Sequence, residues 1–143
     1  MLLNALLFFF LSNGSALTAD SPVGVWKTID DETGQPKSHV ELYLRNGRLY
    51  GKVVRLLQKP ADTLCEKCKG DKKDKPVLGM IIVENLTQED RVWKGGNILD
   101  PVSGNTYACS MWLEDGNLRV RGKHWTGLYR TQTWYRLQES NIK

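Results

Sequence analysis

Residues 38–57 read SHVELYLRNGRLYGKVVRLL, and this stretch predicts a β-hairpin. Asn46-Gly47 at its centre is one of the strongest signals for a two-residue type I′ turn, because both turn positions need a positive φ. Before the turn, Val40, Leu42 and Leu44 alternate with more polar residues, which is the pattern of a strand with one apolar face. The chain around this hairpin is therefore expected to form an antiparallel sheet.

Similar short segments with a period of two, bounded by Gly, Asn, Asp and Pro, recur after residue 20, and no helical apolar pattern of convincing length interrupts them. A long polar loop, residues 59–75, separates the third and fourth segments. The predicted strands are 23–29, 38–45, 49–57, 79–84, 91–99 (one bulged strand or a short hairpin at Gly95-Gly96), 105–113, 117–124 and 129–137. About eight strands in sequential hairpins favour an all-β, antiparallel up-and-down barrel, since closure removes exposed strand edges and leaves room for one small ligand.

The first eleven residues are almost entirely Leu and Phe, and small residues follow at Gly14-Ser15-Ala16 and Thr18-Ala19. Such a run is shorter than the roughly 20 residues of a membrane span but is typical of a signal peptide. We expect residues 1–19 to be a signal peptide, cleaved after Ala16 or Ala19, and residues 20–143 to form a single β-barrel domain. No stable membrane anchor is expected, because no cysteine follows the apolar run for lipid attachment.

The net charge of +4 and the pI near 9.0 are mildly basic, with Asp and Glu interspersed among Lys and Arg. The chain lacks the concentrated Lys/Arg stripe of a nucleic-acid-binding protein, so no nucleic-acid partner is expected. All five Trp and all five Tyr lie beyond residue 20, whereas the three Phe lie in the N-terminal run. The aromatic side chains of the domain are therefore amphipathic and suit a half-wet cavity.

The two ends of the domain carry a motif. Gly24-Val25-Trp26 opens the first predicted strand, and Arg136 ends the last one, two residues beyond Trp134. This arrangement resembles the lipocalin and calycin proteins. The resemblance implies that Trp26, with Gly24 beside it, plugs the barrel base and that Arg136 packs across its ring, a cation-π contact worth about 1 kcal/mol.

A longer resemblance covers nearly the whole domain. The matching segments are Gly24-Val25-Trp26, Asp74-Lys75-Pro76, residues 95–101 (GGNILDP), residues 104–107 (GNTY), residues 118–122 (LRVRG) and residues 130–134 (RTQTW). Together they look like the bacterial domain-of-unknown-function 2147 family. The resemblance implies an exported protein of a Gram-negative bacterium, periplasmic or secreted, with a lipocalin-like barrel and no catalytic residues to carry over.

The three cysteines fit disulfide chemistry in an oxidising compartment. Cys65 and Cys68 form a C-x-x-C pair in the long loop, and Cys109 lies in a predicted strand. Either Cys109 pairs with one loop cysteine or Cys65 pairs locally with Cys68, and one thiol is left over. A zinc site using these cysteines and His124 is disfavoured, because a second pair of ligands at metal-binding spacing is missing.

No catalytic constellation stands out, so we expect no enzyme activity, metal or cofactor. His39 and His124 are the only histidines, and the sequence has no nucleophile elbow and no phosphate loop. His39 alternates away from the apolar face of its strand and is expected at the surface. The acidic run Asp30-Asp31-Glu32 is expected to be a solvated turn.

The last strand offers the best candidate ligand contacts, because alternate residues of a strand share a face and Arg130, Gln132 and Trp134 therefore lie together. A buried Arg or Gln needs polar partners, either internal or on a bound molecule. The candidate ligand-binding residues are Tyr107, Trp112, Trp125, Arg130, Gln132 and Trp134. The leading hypothesis is a non-enzymatic periplasmic carrier of a small, partly apolar ligand. The alternatives are an envelope structural or interaction module with a self-filled barrel, and a thiol oxidoreductase that uses the C-x-x-C pair.

Overall fold

A computed structural model of the chain describes residues 21–138, and the predicted signal peptide lies outside them. Eight antiparallel strands pair in sequence order and close into a barrel through β8 and β1. The strands are β1 (Gly24–Ile29), β2 (Pro36–Arg45), β3 (Arg48–Leu56), β4 (Ile81–Glu89), β5 (Val92–Leu99), β6 (Thr106–Glu114), β7 (Asn117–Lys123) and β8 (Tyr129–Arg136). The predicted fold class is confirmed. Within the described residues, no helix is long and apolar enough to cross a membrane.

The two ends of the barrel differ, because consecutive connections of an up-and-down barrel alternate between them. At one end, the base end, the turns are the two-residue pairs Asn46-Gly47, Asp90-Arg91 and Asp115-Gly116. At the other end, the mouth end, the connections are residues 30–35, 57–80, 100–105 and 124–128. The base end therefore has only tight polar turns, whereas the mouth end carries all the longer loops.

Apolar side chains of the barrel interior fill its base half. Trp26 is fully buried, and its indole Nε1 donates a hydrogen bond to the Pro22 carbonyl at 2.8 Å. Other fully buried side chains pack in the same core: Val40, Leu42, Leu49, Val83, Leu86, Met111 and Leu118. Gly51 lies within this layer, where an added Cβ would come within 2.7 Å of Leu42 Cδ2. The base half is thus closely packed rather than hollow.

Bulges account for the differences between the predicted and observed strands. β5 is one bulged strand and not a hairpin, because its register with β6 shifts at Gly95, which has φ of 86°. β4 extends to Glu89, beyond its predicted end at Glu84. Asn85 takes φ of 62° there, and Leu86 after it is again fully buried.

The prediction for His39 was wrong. β2 pairs with β1 in unbroken register over these residues, so His39 still lies on the face opposite to that of Val40. It is paired with Lys27 of β1 and Arg55 of β3, yet its side chain is buried, with only 8 % exposed. Alternation thus gave the correct face of β2, but the face alone does not determine how far neighbouring side chains cover the imidazole ring. Leu44, which was expected on the apolar face, is 51 % exposed near the base end.

Candidate functional site

The long mouth-end loop, residues 57–80, is fixed against the neighbouring β5–β6 turn. Gly104 in that turn has φ of 75°, and a Cβ there would lie 1.9 Å from the Lys67 carbonyl oxygen. Inside the loop, Cys65 N donates to the Lys75 carbonyl at 2.8 Å and Asp74 N donates to the Cys65 carbonyl at 2.9 Å. The loop is therefore an ordered part of the mouth.

The cysteines adopt the local pairing. Cys65 and Cys68 form the disulfide, while Cys109 is a buried free thiol. Cys109 does not join the bridge, because its side chain faces the barrel interior between Gly96 and Gly122 on the adjacent strands. Burial raises the pKa of the Cys109 thiol to about 12.

Little in the C-x-x-C loop supports redox chemistry. Both disulfide cysteines are buried, and the element that follows them is a single 3₁₀ turn, Gly70–Lys72. Reactive C-x-x-C cysteines are exposed thiols at the N-terminus of a helix. The bridge is better suited to shaping the loop.

A pocket of about 390 Å³ lies at the mouth end between three connections, and we call it the rim pocket. Its lining comes from the disulfide loop, the β5–β6 turn and the start of the β7–β8 turn. The lining residues are Cys68, Lys69, Lys72, Leu99, Gly104, Asn105, Thr106, His124 and Trp125. The pocket thus combines two ammonium groups, amide and hydroxyl groups, and aromatic rings.

Aromatic side chains pack in series beside the rim pocket. The ring centroids of Tyr107 and His124 are 6.3 Å apart, and those of His124 and Trp125 are 5.4 Å apart. His124 Nδ1 also lies 2.9 Å from the Thr126 hydroxyl oxygen. Two predicted ligand contacts, Tyr107 and Trp125, are therefore linked through His124, which the ligand prediction did not include.

Lys72 is held in place at the pocket wall. Its ammonium donates to the Ile81 carbonyl at 2.8 Å and to Glu84 Oε1 at 3.1 Å. Lys69, three residues earlier, is an exposed neighbour on the same wall. The cationic side of the pocket therefore combines one fixed ammonium with one exposed ammonium.

The polar face of β8 is engaged within the chain. Gln132 Nε2 donates to Asp31 Oδ2 at 2.6 Å, and Arg130 Nη1 lies 3.2 Å from the same oxygen. Trp134, which is buried, donates from Nε1 to Gln132 Oε1 at 3.3 Å. These three candidate residues do lie together, but their polar partner is a carboxylate of the β1–β2 connection.

The sequence signal for Asp31 was its acidic run, which was interpreted as a solvated turn. A contact that spans 101 residues has no local signature. Elsewhere in the described part of the chain, no group of three or more His, Cys, Asp or Glu is arranged to hold a metal ion.

Trp112 lies away from the mouth cluster, on the outer wall of the barrel. The Arg121 guanidinium stacks between two rings there, 5.0 Å from the Trp112 centroid and 4.2 Å from the Tyr129 centroid. A shallow groove beside it is lined by Arg91, Val92, Ser110, Trp112, Leu113 and Arg121. Trp112 therefore does not share a site with Trp125 or Trp134.

The predicted structural residues of the base are in contact. The Arg136 guanidinium lies 4.3 Å from the centroid of the Trp26 ring. Gly24 has φ of 138°, and a Cβ at that position would come within 3.1 Å of Arg136 Nη1. The absence of a side chain at Gly24 therefore leaves space for the guanidinium.

Comparisons with known proteins agree with this architecture. The DUF2147 family model, described as an uncharacterized protein conserved in bacteria, matches residues 24–136. The solved structure of protein HP1028 from Helicobacter pylori, described as belonging to the lipocalin family, superposes with a TM-score of 0.74 at 21 % identity, covering 84 % of this chain and 85 % of that one. No curated protein matches the sequence significantly. At this identity the structural likeness concerns the fold alone.

Proposed function

The chain belongs to the DUF2147 family, and we propose that it is an exported, non-enzymatic protein that binds or carries a small, partly apolar ligand in the periplasm. The rim pocket is the proposed site, and its composition is the observation that carries the proposal. Its volume of about 390 Å³ falls within the range of roughly 300–1,000 Å³ that is usual for small-molecule sites. The likeness to a lipocalin-family fold supports a ligand-binding role of this kind.

The chemistry of the pocket favours an anionic ligand with an apolar or planar part. Lys69 and Lys72 supply positive charge on one wall. Trp125 and His124 supply ring faces against which an apolar or planar group can pack. Asn105 and Thr106 add amide and hydroxyl groups that would orient the polar end. A small carboxylate or phosphate ester with a hydrocarbon or aromatic group meets all three requirements.

The packed base half limits where a ligand can lie. Trp26, Leu42 and Met111 are fully buried within the base half of the barrel. A ligand received at the mouth would therefore stay among the mouth-end connections instead of entering a deep lumen. The Cys65–Cys68 disulfide and the close approach of Gly104 to Lys67 hold these connections in place, which lowers the entropy lost on binding.

The same packing favours a second candidate function, an envelope structural or interaction module whose barrel is filled by its own side chains. In that case the mouth-end loops would contact another macromolecule and the rim pocket would hold only water. The two candidates differ in whether a small molecule binds.

Native mass spectrometry of the protein purified from periplasm, followed by calorimetric titration with dodecanoate and dodecyl phosphate, tests the ligand-binding function. We expect a bound small molecule or a titratable site, and we expect Lys69→Gln to weaken binding about tenfold. Lys59→Gln in the same loop is the matched control, because Lys59 does not line the pocket. If nothing co-purifies and neither probe binds, the structural or interaction role is favoured.

Export is tested separately by sequencing the N-terminus of the protein from a periplasmic fraction. The proposal expects Leu17 or Asp20 as the first residue. Recovery of the chain only in the cytoplasm, with Met1 intact, would contradict it.

A further inference from the structure

The exposed apolar side chains of the barrel are concentrated at one end. Eight large hydrophobic residues are exposed in the described part of the chain. Six belong to the mouth-end connections or directly adjoin them: Leu64, Leu78, Val102, Trp125, Leu128 and Tyr129. The other two, Leu44 and Tyr135, lie near the base end. The base-end turns, in contrast, consist of Asn, Asp, Arg and Gly.

The β7–β8 turn, residues 124–128, presents the most exposed of these side chains. Trp125 is 89 % exposed and Leu128 is 76 % exposed, and Tyr129, 62 % exposed, adjoins them. The turn is hydrogen-bonded, since His124 N donates to the Leu128 carbonyl at 2.7 Å and Gly127 N donates to the His124 carbonyl at 2.9 Å. A well-formed turn therefore holds Trp125 and Leu128 out into solvent.

Lysine side chains lie near the apolar tip that Trp125 and Leu128 form on this turn. Lys123 precedes the turn in sequence, and Lys69 shares the rim pocket with Trp125. Arg130, on the other side of the turn, is paired with Asp31. The disulfide loop, residues 57–80, contains six Lys against four Asp and Glu. The acidic run Asp30-Asp31-Glu32 also lies at this end, where Arg130 and Gln132 hold Asp31 and the carboxylates of Asp30 and Glu32 add negative charge. The tip and the disulfide loop thus form an apolar surface with a cationic border.

We propose that the exposed apolar side chains of the mouth end dock the barrel reversibly on an anionic lipid surface. Indole rings favour the headgroup level of a bilayer, where the ring is buried and the N–H stays hydrated. Leucine adds apolar burial, and neighbouring ammonium groups attract lipid phosphates. Trp125 and Leu128 insert, Lys69 and Lys123 face the headgroups, and the rim pocket opens toward the membrane. The proposal rests on the surface alone and does not require that the pocket bind a ligand.

Co-sedimentation with vesicles tests the docking. Wild-type protein is expected to bind phosphatidylglycerol-containing vesicles and to bind pure phosphatidylcholine vesicles at least about tenfold more weakly. Binding should decrease as salt increases, because exposed charges are screened. The tryptophan emission should shift to the blue on binding, and Trp125→Phe should remove most of that shift while retaining binding.

Matched double variants locate the contact. Val102→Ser with Leu128→Ser removes two exposed mouth-end side chains that do not line the rim pocket, and it should weaken vesicle binding about tenfold. Leu44→Ser with Tyr135→Ser removes two exposed apolar side chains near the base end and should leave binding unchanged. All variants share the same N-terminal sequence, so a difference in vesicle binding between them comes from the substituted side chains.

Three outcomes would overturn the proposal. They are equal binding by the two double variants, equal binding to the two kinds of vesicle, and a concentration-dependent dimer, seen by analytical ultracentrifugation, that Leu128→Ser abolishes while vesicle binding is unchanged. The last result would assign the tip to a second copy of the chain. Failure of the dodecanoate titration would leave the vesicle result intact, so the two proposals fail independently.

Discussion

The guanidinium of Arg136 lies 4.3 Å from the centre of the Trp26 ring and ties the two ends of the barrel sheet together. Its Nη2 donates to the Ser21 carbonyl at 2.7 Å and its Nη1 donates to the Val23 carbonyl at 3.1 Å. Trp26 and Arg136 are also paired across the β1–β8 junction that closes the barrel. One side chain thus caps the base plug and satisfies two carbonyls of the entering chain.

Replacing Arg136 should therefore destabilise the barrel, even by the conservative change to Lys. A lysine keeps the charge but loses the planar stack and the two-pronged donation, so we expect Arg136→Lys to lower the free energy of unfolding by about 1–2 kcal/mol. Arg48→Lys, in an exposed position of β3, is the control and should have little effect. Urea denaturation followed by tryptophan fluorescence measures both. If Arg136→Lys and Arg48→Lys unfolded at the same free energy, the contacts of Arg136 with Trp26 and the two carbonyls would not stabilise the barrel.

Two interior glycines should differ sharply in their tolerance of alanine. A Cβ at Gly96 would lie 1.9 Å from the Glu84 carbonyl oxygen, so the backbone of β4 would have to move. At Gly122 the nearest atom to an added Cβ is Tyr107 Cβ at 3.4 Å, which is an ordinary contact. We expect Gly96→Ala to cost more than about 3 kcal/mol or to prevent folding, and Gly122→Ala to cost less than about 1 kcal/mol. Thermal unfolding of the two variants would show a reversed order if the bulge at Gly95-Gly96 were not formed.

Local signals in the sequence were sufficient for the fold class. Asn46-Gly47 and Asp115-Gly116 each form the predicted tight turn, because the conformation they require is a property of the two residues themselves. Bulges were not predictable, since the extra residue, Val54 of β3, becomes visible only when β2 is paired with β3. The sequence therefore predicted the number of strands better than it predicted the burial of individual side chains such as His39 and Leu44.

The candidate site was only partly predictable, for the same reason. Alternation correctly grouped Arg130, Gln132 and Trp134 on one face of β8. It could not show that Asp31 would meet them, nor that Trp112 would lie on the outer wall beside Arg121. Those relationships depend on how distant strands and loops are arranged around the closed barrel.

Burial of His39 should make stability depend on pH. Burial, together with Arg55 and then Lys27 on the two adjacent strands, lowers the pKa of His39 from 6.5. The unfolded chain therefore binds a proton more readily than the folded chain. The stabilisation is fully present above pH 6.5 and decreases as the pH falls toward the lowered pKa of the folded state.

Melting temperatures between about pH 8 and pH 5 test this dependence. Wild-type protein should lose stability on acidification, and His39→Gln should lose less, because glutamine does not titrate. His124→Gln retains His39 and should follow the wild type. If the melting temperatures of wild type and His39→Gln changed in parallel with pH, His39 would not contribute to the pH dependence of stability.

Cys109 should be unreactive in the folded protein. Burial raises its thiol pKa to about 12, so almost no thiolate, which is the nucleophilic form, is present at neutral pH. Iodoacetamide is therefore expected to modify no cysteine in the native state and one in denaturant, because Cys65 and Cys68 remain bridged without reductant. Intact-mass spectrometry measures the number of modified cysteines in each state. Rapid native labelling would place Cys109 outside the core, and labelling of two or three cysteines in denaturant would show that the loop bridge had not formed.

Removing Asp31 should not affect a ligand in the rim pocket, because the β8 donors that it binds lie outside the pocket lining. Its Oδ2 receives both Gln132 Nε2 and Arg130 Nη1, which is the role that a ligand carboxylate would take. Removing it should change the free energy of unfolding by less than about 1 kcal/mol, because the Arg130 side chain is 73 % exposed and such ion pairs contribute little. In Asp31→Ala, dodecanoate and uncharged dodecanol should therefore both bind as they do in wild type, and calorimetric titration measures this.

Asp30→Ala is the matched control for this comparison. It removes the same charge from the same connection, but the Asp30 carboxylate accepts the Glu32 N–H and has no hydrogen bond to β8 in the described structure. An equal gain in dodecanoate affinity for both variants would assign the effect to the general field of the acidic turn. A gain in dodecanoate affinity confined to Asp31→Ala would place the ligand carboxylate on Arg130 and Gln132 and would contradict the rim pocket as the binding site.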